Sequence, residues 1–547
     1  MQNVYTDTRT LDRAAVSRFG LTEDILMENA ACALENEVIR AAVSECRVLI
    51  AAGGGDNGGD GWALARRLNG RTVAGFACSV AVLEVVAPKS QACMRQAERA
   101  RSAGVPVIRT FSRTDFIKNY HVIVDCIFGS GFHGSLSAQI EKLIAALNKA
   151  DCFKIACDIP SGIDSKGAGT SAFRADVTVC MGALKTALFS DFAKNHTGKI
   201  ITAPLGIPSS LFESGEKSEK NAEAAEPAQI SAAAEPVEPA AFLLEASDMR
   251  LPERFLPSVH KGDFGHAAVY TGEKPGAGII AACAAFRCGA GLVSLVSSTG
   301  QSAPAVKAGQ NALPPYAIPP YLMQSSSLPE KVSAVAAGMG FGRNDAQGAA
   351  ERCTKERRAA ELFALLSEKR KLSCVLDADL FYCAEIKQVL KARPSGLVLT
   401  PHPKEFQSLL LLCGLGSVSV EQIAENRLEL VKDFCSVHPG AVLLLKGANM
   451  TIGYCPEKGG KQKGGKAEVY INTFGMPCLA KGGSGDVLAG LVCAFLAQKY
   501  EPLDAAIQGS LLLAASSRLQ KSSYASTPFT LIQSLEKPEK LKKALEG

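Results

Sequence analysis

Two glycine-rich turns, far apart in the chain, most constrain what this sequence can fold into. The first, residues 53–61, follows the apolar run at residues 48–52, and the second, residues 482–486, opens the apolar helical stretch at residues 487–499. Both turns leave backbone N–H groups uncovered at the start of a helix, where phosphate groups bind well. The sequence therefore predicts two phosphate-binding sites.

The length and a change of composition predict two domains. A chain of 547 residues is too long for a single hydrophobic core. Its apolar content of 47% and charged content of 21% are typical of a globular protein. Residues 213–241 consist mostly of Ala, Glu and Pro, which predicts a linker between domains at residues 1–212 and 242–547.

Short apolar runs alternate with helical patterns on both sides of this segment. Such alternation predicts two doubly wound α/β domains built on parallel sheets. The predicted strands are residues 48–52, 122–127, 155–157, 177–181, 267–271, 292–297, 334–337, 374–376, 397–400 and 442–445. The predicted helices include residues 62–68, 140–147, 279–288, 487–498 and 505–519.

Several classes of protein are not favoured. The net charge of +5 is mild and forms no basic stripe, which argues against nucleic-acid binding. There is no signal-peptide pattern and no apolar stretch long enough to span a bilayer. The 18 cysteines include no C-x-x-C pair and lie mostly in apolar contexts, so we expect reduced thiols in a cytoplasmic protein without a membrane partner.

Polar loops in the N-terminal half are expected to converge. Asp125 and Asp158 each end an apolar run and lead into a glycine-containing loop. Loops at the carboxyl ends of parallel strands share one crevice, which would include the turn at residues 53–61. There the oxygens of Asn57, Asp125 and Ser161 could share a hard cation. The alternative is that each aspartate caps the turn that follows it.

In the C-terminal half, Asp486 is the candidate catalytic base. It stands at the start of a helix, after a turn whose amides can hold the charge of a transferred phosphate. A carboxylate there is placed to take the proton of an attacking hydroxyl, although capping of the helix is the alternative. His402, between two prolines, is a candidate ligand contact, and Gly340 would let a ring approach the backbone.

Residues 1–212 resemble the NAD(P)H-hydrate epimerase domain. The resemblance rests on a Leu-Met-Glu-Asn-Ala motif, the first glycine-rich turn and two aspartate loops, at residues 26–30, 53–61, 125–131 and 158–164. It implies a Rossmann-like fold that interconverts the R and S epimers of hydrated NADH or NADPH.

The same resemblance assigns site residues by position. It implies that Asn57, Asp125 and Ser161 bind K⁺ and that Asp158 is the acid–base group for proton transfer at the hydroxyl of the hydrate. Asp56 stands where the family usually has asparagine, which adds a negative charge near the expected diphosphate. The implied hydrate contacts are Asp56, Asn57, Gly58, Gly59, Asp60, Gly129, Ser130, Gly131, Phe132, His133, Gly134, Ser135 and Asp158.

Residues 242–547 resemble the ADP-dependent NAD(P)H-hydrate dehydratase domain, a member of the ribokinase-like superfamily. The matching motifs are KGDFGH, PHPKE and GGSGD, at residues 261–266, 401–405 and 482–486. The resemblance implies that ADP, with Mg²⁺, phosphorylates the hydroxyl of the hydrate and that phosphate is then eliminated.

This second resemblance also carries residue assignments. Asp486 would act as the base, and the hydrate would contact Ala277, Gly340, His402 and Asp486. The sequence departs from the family in a shorter turn at residues 271–275, and in Asn449-Met450 where Gly-Thr is common. The implied ADP contacts are Lys446, Gly447, Ala448, Asn449, Met450 and Gly485.

Fusion of the two activities would allow both epimers of a damaged cofactor to be repaired. A flexible linker raises the local concentration of one site near the other. The expected partners are small molecules and other copies of the same chain, since related enzymes form homo-oligomers. The alternative is a vitamin or sugar kinase with a non-catalytic N-terminal binding module, because ribokinase-like folds share the Gly-Asp arrangement.

Overall fold

The computed structural model forms two compact units, Asn3–Ala241 and Phe242–Gly547, the latter together with Met1–Gln2. It describes residues 1–41, 46–73, 76–110, 114–213, 237–297, 318–342, 349–392, 396–457 and 465–546, with backbone only for 349–356. Most of the predicted linker, residues 213–241, lies outside these ranges, so the domain limits at 212 and 242 stay predictions.

The N-terminal unit is built on a parallel sheet. Its strands are β1 (Gln2–Tyr5), β2 (Arg47–Ala52), β3 (Thr72–Val73), β4 (Phe76–Ala77), β5 (Ser79–Glu84), β6 (Val107–Ile108), β7 (Val122–Cys126), β8 (Phe153–Cys157), β9 (Val177–Met181), β10 (Leu184–Lys185) and β11 (Lys199–Ala203). Its helices are α1 (Arg9–Phe19), α2 (Glu23–Ala41), α3 (Asp56–Leu68), α4 (Gln91–Ser102), α5 (Ala138–Lys149) and α6 (Ser209–Glu213). The strand order β11-β9-β8-β7-β2-β5-β6 has only parallel neighbours.

Both faces of this sheet are covered. Along β2, Ile50 belongs to the same buried cluster as Trp62 of α3, whereas Leu49 belongs to the cluster that contains Leu143 of α5. Successive strand residues point to opposite faces, so a strand that is apolar throughout must be buried on both sides. The predicted doubly wound, Rossmann-like architecture is confirmed.

The C-terminal unit has a larger mixed sheet. Its strands are β12 (Ala241–Leu243), β13 (His266–Thr271), β14 (Leu292–Ser297), β15 (Met323–Ser325), β16 (Ala334–Ala337), β17 (Ser373–Leu376), β18 (Leu397–Leu399), β19 (Val442–Leu445), β20 (Met450–Tyr454) and β21 (Glu468–Asn472). Its helices are α7 (Pro275–Arg287), α8 (Ala349–Glu368), α9 (Ile386–Ala392), α10 (Pro403–Leu412), α11 (Val420–Glu425), α12 (Arg427–Val437), α13 (Ser484–Ala497), α14 (Pro502–Arg518), α15 (Pro528–Ser534) and α16 (Pro538–Glu546).

Most of the described pairs of neighbouring strands in this sheet are parallel, and two pairs are antiparallel. The strands β15-β14-β13-β16-β17-β18-β19 follow one another in parallel, whereas β19-β20 and β20-β21 are antiparallel pairs. Helix α13 is buried from Val487 to Ala497 because it packs against α7 and α14 as well as the sheet. This architecture agrees with the predicted ribokinase-like α/β domain.

The element boundaries differ slightly from the predicted ones. The strand predicted at residues 122–127 ends at Cys126, because the amide of Ile127 turns to donate to Asp125 Oδ1 at 3.2 Å. The helix predicted at residues 62–68 begins at Asp56, so it includes most of the glycine-rich turn. Among the described helices, none is long and apolar enough to cross a membrane.

Candidate active sites

The first glycine-rich turn is shaped by close backbone packing. The amide of Gly53 donates to the carbonyl of Cys126 at 3.0 Å, and a Cβ at Gly53 would lie 1.8 Å from the carbonyl oxygen of Ile127. A Cβ on Gly58 would lie 2.0 Å from the carbonyl oxygen of Gly53. Glycine is therefore required for the turn to lie against the end of β7.

Asp125 and Ser161 lie together, as the sequence predicts. The carboxylate of Asp125 is fully buried and accepts hydrogen bonds from Ser161 Oγ at 2.7 Å and Ser161 N at 2.8 Å. Burial raises the pKa of Asp125 to about 6, against the hydrogen bonds from Ser161. These bonds tie the loop after β8 to the end of β7, instead of each aspartate capping only its own turn.

The loop that contains Gly129 brings Asn57 to this region. A Cβ on Gly129 would lie 3.2 Å from Asn57 Oδ1, so the amide rests against that loop. Asn57 Nδ2 is buried and has no hydrogen-bond partner within the described part of the chain. An amide, a carboxylate and a hydroxyl at converging strand ends form an oxygen-rich set, which suits a hard cation such as K⁺.

Asp158 is paired with a buried lysine. Lys185 Nζ lies 2.6 Å from Asp158 Oδ1, and the amides of Met181 and Ser130 donate to the same carboxylate at 3.2 Å and 3.3 Å. Asp158 also has a φ of +65°, which is uncommon for a residue other than glycine. Backbone strain of this kind clusters at functional sites, which supports the selection of Asp158 as a site residue.

Two more carboxyl groups interact with this pair. Burial and then the charge of Asp158 raise the pKa of Asp60, and Cys157 Sγ donates to Asp60 Oδ2 at 3.6 Å. Burial raises the pKa of Asp12 to about 6, while the charge of Lys185 lowers it. Lys185, Asp158, Asp60 and Asp12 form what we call the lysine–carboxyl cluster. Lys185 and Asp12 were not predicted as site residues. A lysine within the apolar run at residues 179–189 is unusual, however, and could have indicated a functional role for Lys185.

Of the remaining hydrate contacts predicted in this unit, Gly59 is buried in α3, and most of the others lie at the surface. Asp56 is exposed at the start of α3, and residues 130–135 are exposed or half-buried. The ring of Phe132 packs on that of Phe128, with the centroids 4.9 Å apart. Their contacts with a hydrate stay predictions.

The second glycine-rich turn leaves Asp486 uncommitted to capping. Helix α13 begins after Gly483, whose φ of +94° is left-handed and whose position carries no side-chain cap. Asp486 lies in the first turn of the helix, and its side chain makes no hydrogen bond among the described residues. Capping therefore does not account for this carboxylate, which leaves its role as a base open.

A buried ion pair lies beside that turn. Lys446 Nζ lies 2.8 Å from Asp377 Oδ1 and 3.7 Å from Glu405 Oε2. A Cβ on Gly485 would lie 3.4 Å from Lys446 Nζ, so the pair packs directly against the glycine-rich turn. Burial and the charge of Asp377 raise the pKa of Asp486 to about 6, with Lys446 opposing. Asp377 directly follows the predicted strand at residues 374–376, and no role was predicted for it.

His402 has a structural task in addition to any ligand contact. Its Nδ1 accepts hydrogen bonds from the amides of Lys404 and Glu405 at 3.1 Å and 3.3 Å, which caps α10. Its Nε2 lies 3.0 Å from Glu405 Oε1, so the neutral ring carries its proton there. The side chain is 40% exposed, and contact with the hydrate through that exposed part stays a prediction.

The other residues predicted for this site are distributed unevenly. A Cβ on Gly340, whose φ is +63°, would lie 3.2 Å from the Cβ of Ala277, so these two are neighbours. Within the segment that is predicted to contact the nucleotide, Gly447 and Ala448 are exposed, whereas Asn449 and Met450 are buried. The KGDFGH motif precedes the amino end of β13, away from the carboxyl ends of the strands where the other motifs gather.

The fold and both sites define an α/β protein of two compact units, each with a glycine-rich turn at the start of a helix. Residues 23–187 match the family model described as YjeF-related protein N-terminus, and residues 268–537 match the NAD(P)H-hydrate dehydratase model. The "Bifunctional NAD(P)H-hydrate repair enzyme Nnr" of Helicobacter pylori is 39% identical over 540 residues, covering 98% of this chain and 100% of that protein. The chain belongs to the family of bifunctional NAD(P)H-hydrate repair enzymes.

Other relatives are more distant. The protein of the same name from Pyrobaculum aerophilum is 30% identical over 500 residues, covering 89% of this chain and 87% of that protein. A solved structure, the ADP/ATP-dependent NAD(P)H-hydrate dehydratase from Bacillus subtilis co-crystallized with ATP/Mg²⁺, is 21% identical. It covers 54% of this chain and 94% of its own, with a TM-score of 0.38.

Proposed function

We propose that this protein repairs hydrated NADH and NADPH by epimerisation in the N-terminal unit and nucleotide-dependent dehydration in the C-terminal unit. Family membership over the whole length supports both activities. The observation that carries the dehydratase assignment is the Asp486 carboxylate, free of capping and beside the buried Lys446–Asp377 pair. A structural helix cap would need neither feature.

For dehydration, Asp486 takes the proton of the hydroxyl as that oxygen attacks the terminal phosphorus of ADP. The bond to the leaving AMP breaks. The phosphorylated hydrate then loses phosphate together with a proton from the neighbouring ring carbon, and the electrons of that C–H bond restore the nicotinamide double bond. The amides of the turn at residues 482–486 and the ammonium of Lys446 stabilise the charge on the transferred phosphate. We propose ADP rather than ATP as the phosphate donor, because the chain resembles fused enzymes of this family that use ADP.

The residues beside the turn fit a magnesium ion that arrives with the nucleotide. The described residues contain no group of three or more His, Cys, Asp or Glu side chains placed to hold a metal. Mg²⁺ is commonly held by one or two carboxylates together with phosphate oxygens and water. Asp377 and Glu405 would supply those carboxylates, and the ion would neutralise charge on the phosphates.

For epimerisation, Asp158 exchanges a proton with the hydroxyl of the hydrate. Asn57, Asp125 and Ser161 would hold K⁺ at the neighbouring strand ends, because their oxygens form a hard donor set. K⁺ would supply a fixed positive charge for the diphosphate of the cofactor. We also propose that the protein forms a homo-oligomer. We propose a cytoplasmic location, in line with the free cysteines of the described residues.

The function is tested with a mixture of both epimers of NADH hydrate, Mg²⁺, K⁺ and either ADP or ATP. Full recovery of the reduced-nicotinamide absorbance with ADP is the expected result and requires both activities. Recovery that stops at the S-epimer fraction would show an inactive epimerase. A stable phosphorylated product without absorbance would instead indicate the small-molecule kinase.

The dehydratase activity is expected to fall as the pH drops through about 6. Asp486 must be ionised to accept a proton, and its pKa is raised to about 6, so kcat/KM should rise with pH and level off above that value. The terminal phosphate of the nucleotide also titrates near pH 6. The variant Asp486→Glu therefore decides which group causes the acidic limb of the profile of kcat/KM against pH. A limb that moves in this variant belongs to residue 486, whereas an unmoved limb belongs to the nucleotide and contradicts the assignment.

A further inference from the structure

Lys185 is buried deeply in the proposed epimerase site. It lies on β10, which pairs with β1 so that Lys185 is opposite Tyr5, and only 3% of it is exposed. Its Nζ donates to Asp158 Oδ1 at 2.6 Å and to the carbonyl of Met181 at 2.9 Å. A buried ammonium is costly unless it is paired, so a methylene chain or an apolar residue would serve stability better than this lysine.

The cluster has too little positive charge for its carboxyl groups. The cluster contains one ammonium and three carboxyls, on Asp158, Asp60 and Asp12. The other titratable groups that interact with it include the carboxyls of Asp7 and Asp56 and the thiols of Cys157 and Cys180. The ammonium and two backbone amides all donate hydrogen bonds to the carboxyl group of Asp158, so both of its oxygens are held as acceptors.

Asp60 is in the opposite situation. Among the described residues, its carboxyl group accepts a hydrogen bond only from the Cys157 thiol, a weak donor at 3.6 Å, and it experiences the negative charge of Asp158. Both conditions favour the protonated carboxylic acid. Two neighbouring carboxyls with such different hydrogen-bond partners suit a pairing of acid and base.

We propose that Lys185 is a positioning residue of the epimerase, which holds Asp158 as the ionised base and thereby leaves Asp60 as the acid. This inference rests on the proposed epimerase function. Asp60 donates its proton to the hydroxyl of the hydrate, the C–O bond breaks, and water leaves as the ring nitrogen lone pair forms a C=N⁺ bond. Water then adds to the other face and gives a proton to Asp158. Return of that proton to Asp60 through solvent restores the starting state, so nothing is consumed.

The test compares Lys185→Met with Lys185→Arg in the full chain, with Lys154→Met as a matched control. Lys154 lies in the same unit, but within the described part of the chain its Nζ donates only to backbone carbonyls. The epimerisation rate is followed by separating the epimers chromatographically between pH 5 and 9. Dehydration of the purified S epimer shows that the chain is otherwise intact.

Lys185→Met removes the charged hydrogen-bond donor that holds the carboxyl group of Asp158. Lys185→Met is therefore expected to lower epimerisation at neutral pH by roughly 10²-fold and to move the acidic limb of its rate profile upward. Lys185→Arg should keep the limb close to that of the wild type, and Lys154→Met should change neither. An unmoved limb in Lys185→Met would overturn the proposal.

Two further results keep the inference separate from the function it rests on. If the wild-type chain itself does not epimerise the hydrate, the function fails first. If Lys185→Met loses the melting transition of its unit, Asp60→Asn decides, because it keeps the shape of a protonated aspartate but has no proton to transfer. Epimerisation reduced roughly 10²-fold in Asp60→Asn supports the proposal, and wild-type epimerisation contradicts it.

Discussion

Asp486→Asn is expected to lower kcat for dehydration of the S epimer by roughly 10²–10⁴-fold, the usual range for loss of a general base. The amide has nearly the same shape as the carboxylate but cannot accept a proton. Asp486 makes no hydrogen bond among the described residues, so the substitution should leave the start of α13 intact. The rate of NADH formation from the S epimer, with saturating ADP and Mg²⁺, measures the effect.

Asp504→Asn is the matched control for this prediction. Asp504 is the third residue of α14, as Asp486 is the third residue of α13, but it is exposed and lies on a different helix. A charge effect at a helix start would lower stability similarly in both variants, whereas only Asp486→Asn should lose activity. A dehydratase that survives Asp486→Asn within a factor of ten would exclude Asp486 as the base.

Much of the fold follows from local sequence patterns. The apolar run at residues 442–445 is β19, and the turn at residues 482–486 starts a helix, because strand runs and glycine turns are encoded by neighbouring residues. The strands β20 and β21, which form an antiparallel pair, were not among the predicted strands. Both strands are short, and their pairing depends on tertiary contacts rather than on a pattern within either segment.

Residues of the candidate sites were predicted only where they belong to a recognisable sequence motif. Asp125 and Ser161 were found because each stands in a recognisable loop, and the structure places them in contact. Lys446 and Asp377 are 69 residues apart, and their ion pair exists because β17 and β19 end at the same edge of the sheet. A pairing of this kind depends on strand order, which short motifs do not specify.

Asp158→Asn is expected to abolish most epimerisation and to destabilise the N-terminal unit. Lys185 would lose its only carboxylate hydrogen-bond partner among the described residues and remain buried, which typically costs about 3–5 kcal/mol. Asparagine tolerates a positive φ, so the backbone at this position is not the cause. Thermal unfolding reports the stability, and separation of the epimers reports a rate lowered by roughly 10²–10⁴-fold.

The double variant Asp158→Asn/Lys185→Met separates the two effects. Removing the stranded ammonium should recover much of the lost stability, because replacement of a whole buried ion pair is often nearly neutral. Activity should stay low, since the base is still missing. Asp164→Asn is the control, because among the described residues the Asp164 carboxylate accepts only from the amides of Lys166 and Ala168, to which an asparagine oxygen can also bind. Recovery of epimerisation together with stability in the double variant would show that Asp158 acts only through the fold.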